Sequence, residues 1–197
     1  LSLASSRVPG MVSGFELMHR TGFEFLAETL PDLRAPFGPV PEWLVLIELG
    51  LAAGMEAEPT MAALYDEVSD AGLVEDGVIA TSDAQAAALW HLREAIPEAN
   101  RRIGAVSSHD ISLPLSAVPD FIRAAPAALA RIDRFRINCF GHLGDGNLHY
   151  NVFPEKGRSR AEHDPQRDAV KACIHDIVHD MGGSVAAEHG VGRLKIA

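Results

Sequence analysis

Gly141-His-Leu-Gly-Asp-Gly-Asn-Leu-His-Tyr-Asn-Val-Phe153, GHLGDGNLHYNVF, reads as a β-hairpin that carries two histidines. Asp145-Gly146 is a type I′ turn pair set between β-prone runs at Phe135 to Phe140 and Leu148 to Phe153. A two-residue turn fixes the register, so Leu143 is expected opposite Leu148 and His142 opposite His149, with Cβ atoms roughly 5 Å apart. The period of two puts Asn147 and Asn151 on the histidine face and Leu143, Leu148, Tyr150 and Val152 on the other.

Further along, Ser184-Val-Ala-Ala-Glu188-His189-Gly190 places a Glu-His pair between an apolar run and a glycine. His142, His149 and Glu188 together make an open divalent-metal site of the two-His, one-carboxylate kind. On spacing alone the facing histidines also read as an ordinary surface pair of a hairpin.

GHLGDGNLHYNV followed by GGSVAAEHGVGRLK closely resembles the C-terminal domain signature of FAD-linked oxidases that act on 2-hydroxy acids. These are the D-2-hydroxyglutarate dehydrogenase, D-lactate dehydrogenase and glycolate oxidase subunit family. The resemblance covers most of the chain from about Trp43 onward, and its specific motifs fall in three stretches. It implies the substrate-capping domain of a two-domain flavoenzyme, with a flavin-binding domain before the first residue and a helical tail after the last. The opening at Leu1 without Met, and the close at Gly192-Arg-Leu-Lys-Ile-Ala197, fit that expectation of a fragment.

Composition bounds the function. In 197 residues, 47% are hydrophobic and 22% charged, enough for one good core. A net charge of −10 argues against nucleic acid, and Arg131, Arg134 and Arg136 are interleaved with Asp133 and apolar residues rather than forming a basic run. Cys139 and Cys173 make no disulfide framework and read as reduced core thiols of a cytoplasmic protein. Neither a signal peptide nor an apolar run long enough to span a bilayer is visible.

Ser13-Gly-Phe-Glu16 reads as a capping box opening a helix whose apolar face runs from Phe15 to about Leu30, where Pro31 stops it. Trp43 to Leu49 is a continuous apolar run of strand length that reads as a central strand, Glu56 to Asp70 a second helix, and Gly77 to Ala80 a short edge strand. Ser82 and Gln85 cap a third helix, with Leu89, Leu92 and Ile96 on one stripe and Pro97 ending or kinking it.

Arg93 sits in that stripe, and a buried guanidinium needs an anionic partner. From the residues alone it either snorkels or pairs with a distant carboxylate. The resemblance implies that Arg93 binds the substrate carboxylate. Two departures follow: Pro97 stands where relatives often carry a hydroxyl residue, and Ser108 stands where they typically carry a Lys. One cationic contact to a second substrate carboxylate is therefore missing.

Ser116 caps a helix from Ala117 to about Arg131, and Asp164 to Met181 forms another with Val170, Cys173, Ile174, Ile177, Val178 and Met181 on one stripe. His175-Asp-Ile-Val-His179 imitates the H-E-x-x-H zinc-protease helix, but its acid is Asp and both His fall beside Asp168, Lys171 and Asp176, away from the apolar stripe. Gly190-Val-Gly192-Arg193 reads as a structural turn rather than a phosphate loop.

Helices alternate with strands joined partly by a hairpin, and no internal repeat is visible. The expected fold is α+β, a mainly antiparallel sheet covered by helices. The residue reading and the resemblance join in one expected function: part of an FAD-dependent dehydrogenase oxidising a D-2-hydroxy acid to the 2-oxo acid, inactive as a fragment. His142, His149 and Glu188 hold Zn²⁺ or another divalent metal, His189 is the general base, and Arg93 and Asn151 orient the carboxylate. The expected partners are the small 2-hydroxy acid, an electron-acceptor protein or quinone, and a second copy in a homodimer. The competing reading is a stand-alone metal-binding or regulatory domain without catalysis.

Overall fold

Val12-Ser-Gly-Phe-Glu-Leu-Met-His19 is a strand, where the sequence pattern predicts the start of a helix. Phe15, Leu17 and Met18 fit an apolar helix face, but they fit a strand buried on both sides equally well. A computed structural model describes residues 1–188 and settles the choice: the strand, β1 (Val12–His19), lies between two neighbours and is buried along its middle. The helix predicted from Ser13 starts only at Arg20, so Glu16 is not a capping residue but a side chain in the interior of a sheet.

A short helix α1 (Ser2–Arg7) precedes β1, and α2 (Arg20–Thr29) follows it directly. The remaining elements are β2 (Trp43–Leu49), α3 (Ala57–Asp70), α4 (Asp83–Ile103), β3 (Ser107–Ser112), α5 (Val118–Leu129), β4 (Phe135–His142), β5 (Asn147–Pro154) and α6 (Arg167–Asp180). The strands form one five-stranded sheet in the order β2-β1-β4-β5-β3, and every neighbouring pair is antiparallel, so β2, whose apolar run reads as a central strand, lies at an edge with only Leu44 buried. The α+β class read from the sequence is the one observed.

Both faces of the sheet are covered. Leu17, Ile111, Cys139, Leu148, Tyr150 and Val152 pack on one side with Phe121, Ala125 and Leu129 of α5 and Val170, Ile174 and Val178 of α6. Met18, Leu44, Phe140 and Phe153 pack on the other with Phe23, Phe25 and Leu26 of α2 and Leu92, Ala95, Ile96 and Ala99 of α4. Each fully buried Leu, Val or Phe contributes about 1.5–3 kcal/mol relative to exposure.

The central hairpin forms, with a longer turn than the sequence suggests. Leu143–Asp145 makes a 3₁₀ turn and Gly146 takes a left-handed conformation at φ 66°. A Cβ at Gly146 would run into the carbonyl oxygen of Leu113, so two constraints select glycine there. The pairing accordingly runs Phe140 with His149 and Cys139 with Tyr150, two residues away from the register expected of a type I′ turn. His142 pairs instead with Glu16 of β1. Because the shift is even, both histidines keep the same face.

α4 begins at the expected cap, Ser82 Oγ accepting the N–H of Gln85 at 3.3 Å. It runs through Pro97 to Ile103, since Pro97 removes only one ladder donor while Leu92, Ala95, Ile96 and Ala99 anchor both sides of it. Residues 77–80 form no strand, and the helices predicted from Ala117 and Asp164 begin at Val118 and Arg167, each after a 3₁₀ turn. Among the described residues no helix is long and apolar enough to cross a membrane. Cys139 and Cys173 are free thiols.

Candidate metal centre

Toward the turn end of β4 and β5, the face covered by α2 and α4 changes from apolar to polar. Glu16 of β1, Arg93 of α4, His142 of β4 and His149 of β5 meet there. Glu16 is 3% and Arg93 7% exposed. The Arg93 Nε–H donates to Glu16 Oε2 at 2.7 Å, and Glu16 Oε1 lies 2.7 Å from His142 Nδ1. The distant carboxylate that a buried Arg93 requires is therefore Glu16, brought in by a strand the sequence pattern disguises as helix. Removing one partner of such a buried pair costs about 3–5 kcal/mol.

The four side chains form a circuit closed by aromatic contacts. His142 meets His149 edge to face at 5.7 Å between ring centroids, His149 is tilted on Phe140 at 5.0 Å, and the Arg93 guanidinium stands 4.9 Å over the Phe140 ring. These contacts restrict the rotamers of Glu16, Arg93 and His149, while the His142 side chain stays 38% exposed.

Glu188 completes the set from the far end of the described chain. His142 Nε2 lies 3.3 Å from Glu188 Oε1, and one ligand atom each from His142, His149 and Glu188 fall within 4.8 Å of one another. Among the described residues this is the one group of three or more His, Cys, Asp or Glu that converges in this way. The Glu188 backbone N–H donates to Asp110 Oδ2 at 2.9 Å, and a bridge between Ser112 and Ser184 ties the same segment to the edge of β3.

Asp110, like Glu16, is a residue that the sequence reading missed. Its Oδ1 accepts from Asn147 Nδ2 at 2.8 Å and lies 3.7 Å from His149 Nδ1. The signal available was an acid inside the β-prone run Ser107 to Leu113, where a buried carboxylate needs partners.

Burial pushes the His149 imidazole below the ordinary histidine pKa, against the pull of Asp110 and Glu188; Arg93 and His142 lower it further. A neutral imidazole is the form that binds a metal. Among the described residues, two imidazoles and one carboxylate converge here, a donor set that fits a divalent metal.

Asn151, 8% exposed, lies on the histidine face with its Nδ2 3.4 Å from the His149 carbonyl. Ser108 is exposed directly opposite Asn151 in the β3–β5 register, and so borders the same corner. The decoy pair stays apart from the cluster: His179 is exposed, and His175 rests half-buried with its ring 5.6 Å from that of His109, on the opposite face of the sheet. His189 and Gly190-Val-Gly192-Arg193 lie outside the described residues.

Comparison with known proteins finds a family match over nearly the whole chain. Residues 5–197 match the family described as FAD linked oxidases, C-terminal domain. D-2-hydroxyglutarate dehydrogenase of Xanthomonas citri pv. viticola is 40% identical over 164 residues, covering 82% of this chain and 34% of that protein. The mitochondrial D-2-hydroxyglutarate dehydrogenases of Arabidopsis thaliana and Bos taurus are 31% and 37% identical, over 94% and 89% of this chain and 32% of each relative. The chain thus spans about a third of the length of the curated relatives it matches.

Proposed function

This chain belongs to the FAD linked oxidases, C-terminal domain family, and from that premise we propose that it is the substrate- and metal-holding domain of an FAD-dependent D-2-hydroxy-acid dehydrogenase. The observation that carries the reading is the convergence of His142, His149 and Glu188 beside the buried Arg93. The relatives' names supply the substrate class, a D-2-hydroxy acid of the 2-hydroxyglutarate type.

The residues divide the work. His142, His149 and Glu188 hold Zn²⁺ or another divalent cation, and Arg93 with Asn151 receives the substrate carboxylate and turns the C2 hydroxyl toward the ligand cluster. His189, next in sequence to a ligand, takes the hydroxyl proton as general base. When bound, a cation would supply Lewis acidity at that hydroxyl and FAD the two-electron oxidant for C2, so that loss of the hydroxyl proton and a hydride equivalent converts the secondary alcohol to a ketone. Phe140 and the α4 stripe keep water from the Arg93 side of the cluster.

FAD is held by a separate domain, to which this chain contributes the substrate side. An electron-acceptor protein or a quinone reoxidises the flavin, and the enzyme works as a homodimer. The free thiols of Cys139 and Cys173 support a reducing compartment, the cytoplasm, although relatives from plants and animals carry mitochondrial names.

His149→Ala tests the reading. Metal analysis of the purified protein is expected to show loss of most of the bound divalent cation, and equal metal content in wild type and variant would end the proposal.

A further inference from the structure

Behind the three candidate ligands stands a carboxylate that belongs neither to the ligand set nor to the surface. Glu16 is buried in the middle of the sheet, on a strand flanked by Phe15, Leu17 and Met18, and its two oxygens are divided between two partners. Oε1 meets His142 Nδ1 and Oε2 meets Arg93 Nε, each at 2.7 Å. An ionised carboxylate only accepts hydrogen bonds, so His142 donates to it from Nδ1, which leaves Nε2, 3.3 Å from Glu188 Oε1, as the ring atom that faces the other candidate ligands. Arg93 commits its Nε–H to Glu16, which leaves the terminal nitrogens as the edge that can meet a second anion.

We propose that Glu16 is a positioning residue that sets both halves of the site through one side chain. It holds His142 in the tautomer whose Nε2 can face a divalent cation, and it aims the guanidinium of Arg93 at the substrate carboxylate. The inference rests on the metal and substrate reading above and adds that the two subsites are coupled through a single buried acid. Cation and substrate then strengthen each other's binding by equal factors, since each orders the group that Glu16 shares between them.

Glu16→Gln in the FAD-containing enzyme is the informative variant. The amide keeps one acceptor and gains a donor, so it satisfies His142 Nδ1–H or Arg93 Nε–H but not both. Calorimetric titration of the metal-stripped enzyme with Zn²⁺ should show a dissociation constant raised roughly 10- to 100-fold, the usual effect of losing a ligand's hydrogen-bond partner. KM for the 2-hydroxy acid should rise more than kcat falls. ¹⁵N NMR of the His142 ring should lose its single Nδ1–H tautomer.

Added to His142→Ala, Glu16→Gln should leave Zn²⁺ affinity where His142→Ala alone puts it, yet still raise KM through Arg93. Should Glu16→Gln not fold, Glu16→Asp keeps the charge but shortens the reach and carries the same expectation. If His142→Ala loses the cation while Glu16→Gln and Glu16→Asp bind Zn²⁺ within twofold of wild type and keep the tautomer, Glu16 only fills space and the inference fails by itself. If His142→Ala and His149→Ala also bind Zn²⁺ like wild type, the metal reading fails and takes this inference with it.

Discussion

Strand β5 has two sides that live by different rules. Leu148, Tyr150 and Val152 point into the core under α5 and α6, all but fully buried, with Phe121 against the Tyr150 ring at 5.1 Å. Asn147, His149 and Asn151 alternate with them on the other side, where Asn147 Nδ2 donates to Asp110, Asn151 Nδ2 to the His149 carbonyl, and His149 Nδ1 lies 3.7 Å from Asp110 Oδ1. The apolar side is held by area, and a substitution there is felt as lost stability. The polar side is held by partners at fixed distances, and on the proposed function a substitution there should be felt first as lost chemistry.

The widest separation between the two sides is expected at His189, beside the polar cluster in sequence. In the FAD-containing enzyme, His189→Asn should keep flavin and metal while lowering the rate of flavin reduction by roughly 10²- to 10⁴-fold, the range for a lost general base. An unimpaired rate in stopped-flow measurements would remove His189 from the mechanism.

Leu148→Ala reverses the pattern. A fully buried Leu truncated to Ala should cost about 2–5 kcal/mol in denaturant unfolding, while the metal content of the folded fraction stays at the wild-type level. Coupled loss of metal and stability would show that the two sides of the strand are not independent.

Substrate preference gives the next largest effect. Ser108 borders Asn151 where a cation would meet a second carboxylate, a contact worth about 1.5–3 kcal/mol. A monocarboxylic acid such as D-lactate should therefore compete well with 2-hydroxyglutarate, and Ser108→Lys should shift kcat/KM toward the dicarboxylate by roughly one to two decades. A wild type that already prefers 2-hydroxyglutarate a hundredfold, unchanged by the Lys, would place distal recognition elsewhere.

The smallest effect belongs to the apolar side and appears only in alkali. Burial pushes the Cys139 thiol up from 9.0 to about 12, and the Tyr150 phenol also rises for the same reason. Above pH 9.0 the unfolded thiol ionises while the folded one holds its proton, so stability falls as pH rises toward about 12. The slope from Cys139 is at most about 1.4 kcal/mol per pH unit. Cys139→Ala should flatten the alkaline limb of stability against pH by that amount, and an unchanged limb would show that the thiol is not sealed.

What the sequence revealed follows from the same two rules. Alternation on β4 and β5 is a local property, and an error of two residues in register leaves every side chain on its face, so the histidine pair and the polar asparagines were legible. Turn length was not, because Gly146 answers to Leu113, just past the end of β3, as well as to its own turn. β1 was read as a helix because a strand buried on both sides loses the period that would identify it. Glu16 was lost with it, its partners lying 77 and 126 residues away. A lone acid amid Phe15, Leu17 and Met18, matched to a lone cation in the α4 stripe, was the trace available.

That separation of 126 residues between Glu16 and His142 also sets an order of events during synthesis. A chain growing from its N-terminus makes Glu16 early and must wait for β4 before His142 can reach it, and Glu188 arrives later still. Through that interval β1 can pair with β2 but has its other edge open, with an unsatisfied acid on it until α4 brings Arg93. Arg93 is therefore the first partner Glu16 meets on the ribosome. The ion pair can form before His142 and Glu188 have been made, so a cation held on the proposed reading by those residues would be acquired only after it.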